Sequence, residues 1–216
     1  MEDKTSVDKI CVEVFSRVSA SISHELKNAL AIINENAGLL DDLLLMAGDE
    51  EKIGKEHIQA ATSTITKQVS RSNTIIKNLN VFAHSGDTIL GQANLYEVLT
   101  LVAALTDRQV VMKDILIELS CGAGIEISTY LLVFESLLYL TVVSLIDEMP
   151  AGGKLTISAS RQKQNIIILF YGGGLSREFL SNGPAQEMES IVNFLEGSIF
   201  CGANELSLSV PAEISA

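Results

Sequence analysis

The residues best suited to chemistry lie within one short segment, Ser21-Ile22-Ser23-His24-Glu25-Leu26-Lys27-Asn28-Ala29-Leu30. His24 carries an imidazole, which is nucleophilic near neutral pH and forms an energy-rich phosphoramidate. Glu25 is a neighbouring carboxylate that could orient the ring and take up its proton. Asn28 follows His24 by four residues, which on a helix is one turn along the same face. Its amide could position a water for hydrolysis of an acyl phosphate. Ala20, Ser21 and Ala31 add small side chains around this face, so a partner could come close. Phosphoryl transfer depends mainly on positioning and charge stabilisation, so a sparse site of this kind is chemically sufficient. A single histidine on a long helix is ordinarily a plain surface residue, and spacing alone does not assign it a role.

The elements that must position these residues follow from hydrophobic period. Between residues 3 and about 47, apolar side chains recur at Val7, Ile10, Val14, Val18, Ile22, Leu26, Ala29, Ile33, Ala37, Leu40 and Leu43. Steps of three or four are those of an amphipathic helix. His24 is two residues from both Ile22 and Leu26, so it projects away from the stripe. Gly48 and the acidic run Asp49–Glu51 interrupt the pattern, and a second helical run begins near Lys55. Its stripe is Ile58, Ala61, Ile65, Val69, Ser72, Ile75 with Ile76, Leu79 and Phe82, ending near His84-Ser85-Gly86-Asp87. A lone helical hairpin has an apolar face with nothing to cover it. Pairing two copies into a four-helix bundle buries both faces, which predicts a homodimer.

After Asp87 the texture changes, giving an expected division into residues 1–87 and 88–216. Leu95–Thr106 reads as a helix, Ile115–Ser120 as a strand, Ile125–Ser128 as a second short strand, and Thr129–Met149 as a long, very apolar helix. Pro150-Ala151-Gly152-Gly153 is a turn. Lys154–Ser160 and Asn165–Phe170 read as neighbouring strands. Met188–Leu195 reads as helical, with a closing hairpin over Ser198–Cys201 and Glu205–Val210. The expected fold class is α+β, with helices on one face of a sheet.

Composition excludes several function classes. The net charge is −12 with no basic run, so nucleic acid is not an expected partner. Cys11, Cys121 and Cys201 are too widely spaced for a disulfide framework or zinc motif, and read as reduced, buried thiols of a cytoplasmic protein. Neither His57 nor His84 has a neighbour at ligand spacing, so no metal site is expected. Met1–Lys9 does not read as a signal peptide. The most apolar stretch, Tyr130–Ile146, is interrupted by Glu135 and falls short of the roughly 20 apolar residues of a membrane span.

The segment His24-Glu25-Leu26-Lys27-Asn28-Ala29-Leu30 resembles the H-box of bacterial sensor histidine kinases, His-Glu-Leu-Lys/Arg-Asn/Thr-Pro-Leu. It matches at six of seven positions, with Ala29 in place of proline. The resemblance implies that His24 is a phosphoacceptor, that Glu25 is its acid–base partner, and that Asn28 helps dephosphorylate a response regulator. It also implies that residues 88–216 derive from the ATP-binding α/β sandwich of that family, in degenerate form. Ser144–Gly153 resembles the end of the N-box helix, but Ser144 and Leu140 stand where the family has asparagines, and neither makes a good magnesium ligand. Phe170-Tyr171-Gly172-Gly173-Gly174-Leu175 resembles the Asp-x-Gly-x-Gly box, with Phe170 replacing the aspartate that recognises adenine. Gly172 and Gly174 remain. About 15 residues separate Leu175 from Ile191, too few for the family's lid and glycine-rich segment. Residues 88–216 hold 14 acidic and 6 basic residues, a net of −8 that opposes the approach of a triphosphate.

The expectation is therefore a kinase-derived histidine phosphotransferase that relays phosphoryl groups between response-regulator receiver domains through His24, without ATP or magnesium. The alternatives are a response-regulator phosphatase, a divergent but active histidine kinase, and a non-catalytic dimeric scaffold.

Overall fold

A computed structural model describes residues 4–46, 54–122, 124–172, 179, 183–202 and 204–214. The expected turn at Gly48–Glu51 and the positions Gly173, Gly174 and Leu175 lie outside the described residues. Two helices open the chain, α1 (Lys4–Met46) and α2 (Lys55–His84). At 1.5 Å per residue α1 is about 65 Å long. A mixed domain follows: β1 (Gly91–Asn94), α3 (Leu95–Leu105), α4 (Asp107–Met112), β2 (Leu116–Cys121), β3 (Glu126–Thr129), α5 (Leu131–Glu148), β4 (Lys154–Gln162), β5 (Asn165–Gly172), α6 (Gly183–Phe194), β6 (Ser198–Cys201) and β7 (Glu205–Pro211). The fold is α+β, with a long N-terminal hairpin and a mixed sheet.

The chain forms two compact units, Met1–Val18 with Asn80–Ala216, and Ser19–Leu79. The division thus falls inside both long helices, whereas the change in sequence texture comes after Asp87. The apolar stripe of α1 explains why. Val7, Ile10, Val14 and Val18 are all buried in the first unit. Phe15 stacks on Phe82 with ring centroids 6.1 Å apart, and Arg17 pairs with Glu187 of α6 at 3.9 Å. The opening of α1 and the close of α2 are therefore part of the sheet domain's packing.

Five strands form the main sheet in the order β2-β4-β5-β7-β6, and β1 pairs with β3 in a separate ladder. Among the described strands of the main sheet, β2 and β4 pair parallel and the other neighbours antiparallel. Register places Ile157, Phe170 and Leu206 side by side, all buried. Their neighbours on the opposite face, Ser158, Leu169 and Ser207, are half-buried, the alternation of a sheet covered on one side. α3, α5 and α6 supply that cover.

Local signals set the helix limits. The Asn94 side chain accepts hydrogen bonds from the backbone of Tyr96 at 3.0 Å and Glu97 at 3.4 Å, capping α3. Lys113 donates to the carbonyls of Ile146, Asp147 and Met149 at 3.0, 2.6 and 3.2 Å, placing a cation on the C-terminal end of α5. Most of α5 is buried, including Ser136 and Thr141. Their hydroxyls donate to the helix's own carbonyls, of Leu132 at 2.7 Å and Leu137 at 2.8 Å, which removes the cost of burying them.

Cys11 and Cys201 are buried and Cys121 is half-buried, all as free thiols. The expectation of three buried thiols is corrected at Cys121, near the end of the sheet-edge strand β2, which has a neighbour on one side only. Burial raises the pKa of each thiol, opposed at Cys11 by a hydrogen bond with Ser136.

Candidate functional site

His24 lies in the middle of α1, within the unit Ser19–Leu79. Helical geometry turns about 100° per residue, so Ile22 and Ala29 lie roughly opposite His24. They are buried, at 4% and 2% exposure, while His24 and Asn28 are exposed. Among the described residues the His24 ring has no hydrogen-bond partner. Ala20 and Ala31 are exposed beside it. Ser21, expected on the same open face, is instead buried. It lies on the flank between His24 and the apolar stripe.

Glu25 occupies the same flank. Its carboxylate meets the guanidinium of Arg71, on α2, at 3.2 Å. Arg71 is a residue the sequence reading passed over. No local signal marks it, because its partner lies 46 positions away. The pair fixes the carboxylate one residue from the imidazole and links the two helices at the level of His24. Side-chain exposure is 10% for Glu25 and 51% for Arg71, so water reaches the cation while the acid is largely enclosed.

The apolar faces of this unit are open. Leu30, Leu39, Ile58, Val69 and Ile76 are exposed along the helices, and Leu44, Leu45 and Met46 reach 62, 82 and 79% exposure at the end of α1. Leu26, Ile33, Leu40 and Leu43 are half-buried, and Ala37 is exposed.

In the other unit, the positions singled out by the resemblance to a nucleotide-binding domain have a different character. Leu140 is 2% exposed and Phe170 is fully buried, so neither side chain offers surface to a ligand. Ser144 is half-buried on α5. Gly172 is buried, and a Cβ there would lie 3.0 Å from Met149 Sδ. The absence of a side chain at this glycine is accounted for by close packing on Met149. Gly174 lies outside the described residues. Among the described residues no group of three or more His, Cys, Asp or Glu could hold a metal ion, and no helix is long and apolar enough to cross a membrane.

No described protein family matches the chain, and no curated protein matches it. Solved structures do. The catalytic domain of histidine kinase ThkA matches with a TM-score of 0.54 at 14% identity, over 59% of this chain and all of that one. The histidine kinase AdeS of Acinetobacter baumannii matches with a TM-score of 0.52 at 14% identity, over 88% of this chain and 98% of that one. ThkA in complex with the response regulator TrrA matches with a TM-score of 0.50 at 18% identity, over 93% of this chain and 63% of that one. At such identities the likeness establishes the fold: a histidine-kinase-like helical hairpin followed by an ATPase-type mixed domain.

Proposed function

We propose that this protein is a histidine phosphotransferase of two-component signalling, in which His24 takes a phosphoryl group from the aspartate of one receiver domain and passes it to another. The observation that carries the reading is the exposed, unengaged imidazole of His24, with Asn28 one turn along on the same open face. An imidazole nitrogen attacks phosphorus in line with the acyl-phosphate P–O bond. The N–P bond forms, the P–O bond breaks, and the aspartate carboxylate leaves with the electron pair. The phosphorylated ring sheds its remaining N–H proton to water or to Glu25, which Arg71 holds in place. Return of the group to a second aspartate reverses these steps.

Three observations support the rest of the reading. The apolar residues at the end of α1 are exposed enough to need covering, and a second copy supplies the matching face, giving a dimeric four-helix bundle. Burial of Leu140 and Phe170 supports a phosphotransferase that uses neither ATP nor magnesium. The complex of the similar kinase ThkA with a response regulator supports receiver domains as partners.

Asn28 also favours a second reading, a phosphatase in which its exposed amide directs water at the regulator's acyl phosphate. One experiment separates the two. The protein is mixed with receiver domains carrying radiolabelled phosphoryl groups. Label recovered on the chain and lost in His24→Gln supports transfer. Free phosphate with an unlabelled chain supports the phosphatase. Labelling by ATP and magnesium alone would overturn the ATP-independent reading.

A further inference from the structure

Glu135 interrupts the most apolar stretch of the chain, and the phosphotransfer reading gives it no task. It lies on α5 and is 3% exposed. One carboxylate oxygen, Oε1, is 3.0 Å from Ser85 Oγ, just past the end of α2. The other, Oε2, is buried without a hydrogen-bond partner. The same Ser85 Oγ lies 3.1 Å from the carbonyl of Val81. A serine hydroxyl has one hydrogen. The Val81 carbonyl also accepts from the Ser85 backbone N–H at 3.2 Å, so the group an ionised carboxyl leaves unmatched is its own buried Oε2, which would carry charge with no donor. If the carboxyl is protonated, Glu135 donates to Ser85 and Ser85 donates to Val81, and the oxygen left without a donor is an uncharged carbonyl oxygen.

The segment after Ser85 lies tightly against the start of α5. A Cβ at Gly86 would come within 3.1 Å of Leu132 Cδ2, and one at Gly91 would collide with Leu131 Cδ1. Residues 85–91 are thus a strap whose contact with α5 begins at the hydrogen bond between Ser85 and Glu135. Ser85, Gly86, Thr88 and Ile89 also line a cavity of about 170 Å³ beside the strap, giving it room to move.

We propose that Glu135 is a neutral carboxylic acid in the folded protein and latches the strap to α5, and that loss of its proton releases residues 85–91. Burial supports this by raising the carboxyl pKa to about 7, against a smaller opposing effect of the Ser85 hydrogen bond. The titratable groups on the surrounding elements include Lys4, Asp8, Lys9, Cys11, Glu13 and Arg17 on α1, His84 and Asp87 at the end of α2, Tyr96 and Glu97 on α3, and Glu187 and Glu189 on α6. None of them is a cause of the Glu135 shift. His84 and Asp87 form their own pair at 2.7 Å. Ionisation would place a charge on a buried oxygen with no donor, and opening the strap hydrates it.

Amide hydrogen exchange of the full chain tests the latch. Rates for residues 85–91, corrected for the intrinsic pH dependence of exchange, are expected to rise about tenfold between pH 6 and pH 8, because strap opening is linked to release of one proton. Glu135→Gln, an uncharged amide that still donates to Ser85, should remove that rise. His84→Gln should keep it. A flat wild-type profile, a rise that survives in Glu135→Gln, or a rise lost only in His84→Gln would overturn the latch. Should Glu135→Gln fail to fold, the wild-type side-chain carboxyl carbon of Glu135 can be titrated by NMR. A midpoint above pH 6 supports the proposal, and one in the ordinary carboxylate range near 4.5 overturns it.

Discussion

The face around His24 and the buried positions Leu140 on α5 and Phe170 on β5 are opposites. At His24 the imidazole and the Asn28 amide stand in water beside the small side chains of Ala20 and Ala31, while Glu25 is largely enclosed against Arg71. At Leu140 and Phe170, where the resemblance to histidine kinases implies an asparagine and an aspartate, apolar side chains are packed away from solvent. On the phosphotransfer proposed above, this contrast lets a kinase-type fold keep a phosphoacceptor without a nucleotide site. A phosphoacceptor needs only an accessible nitrogen and a way for a partner to approach. A nucleotide site needs several polar groups converging on one cavity, and a few apolar substitutions turn that cavity into core.

Substitutions at the two regions should separate these roles. His24→Ala should reduce phosphoryl acceptance by at least about a hundredfold, since no other nucleophile replaces a lost covalent one. Its thermal stability should stay near wild type, because the side chain is exposed. Phe170→Ala should do the reverse. It should cost about 3–5 kcal/mol in denaturant unfolding by opening a cavity in the sheet core, with no gain of nucleotide binding. If Phe170→Ala instead left stability unchanged and created an ATP site, the contrast would break at its second region.

Glu135 gives the next effect in size. Its folded pKa is raised to about 7 from an ordinary 4.5, so the folded state holds the proton more tightly than the unfolded chain does. This contribution to stability is therefore fully present below about pH 4.5 and is lost as pH rises to about 7, over a total on the order of 3 kcal/mol. Chemical denaturation of the wild type and Glu135→Gln across this range checks the sign, and the variant should lack this component of the slope.

At the hairpin, Leu44→Glu with Leu45→Glu should shift the protein toward monomer in sedimentation while leaving the sheet domain folded. Arg71→Ala should have the smallest effect on stability. Its pair with Glu25 is half in water, and such pairs contribute about 1 kcal/mol or less. A several-fold slower transfer with little change in stability would show that the pair positions Glu25.

Much of this was legible in the sequence because it is local. The stripe from Val7 to Leu43 specifies α1, and the alternation in Lys154–Ser160 and Asn165–Phe170 specifies β4 and β5. His24 stands off its stripe by two residues and is exposed. What escaped detection depends on distant partners. β1, Gly91–Asn94, has no apolar alternation and is a strand because it pairs with β3. α4 is six residues long and buries none of them, so it leaves no stripe to read. Arg71 matters through a residue 46 positions away. Ser21 looked like part of the open face because spacing alone does not reveal which flank of α1 is covered. Glu135 could be read as an interruption of an apolar run, but its link to Ser85 spans 50 residues and is visible only in three dimensions.

The central claim is most directly tested by phosphoryl transfer from a labelled receiver domain, run beside a reaction containing only ATP and magnesium. The account predicts acid-labile label on the wild-type chain from the receiver, none on His24→Gln, and none from ATP. Label acquired from ATP, or label from the receiver that persists in His24→Gln, would contradict it.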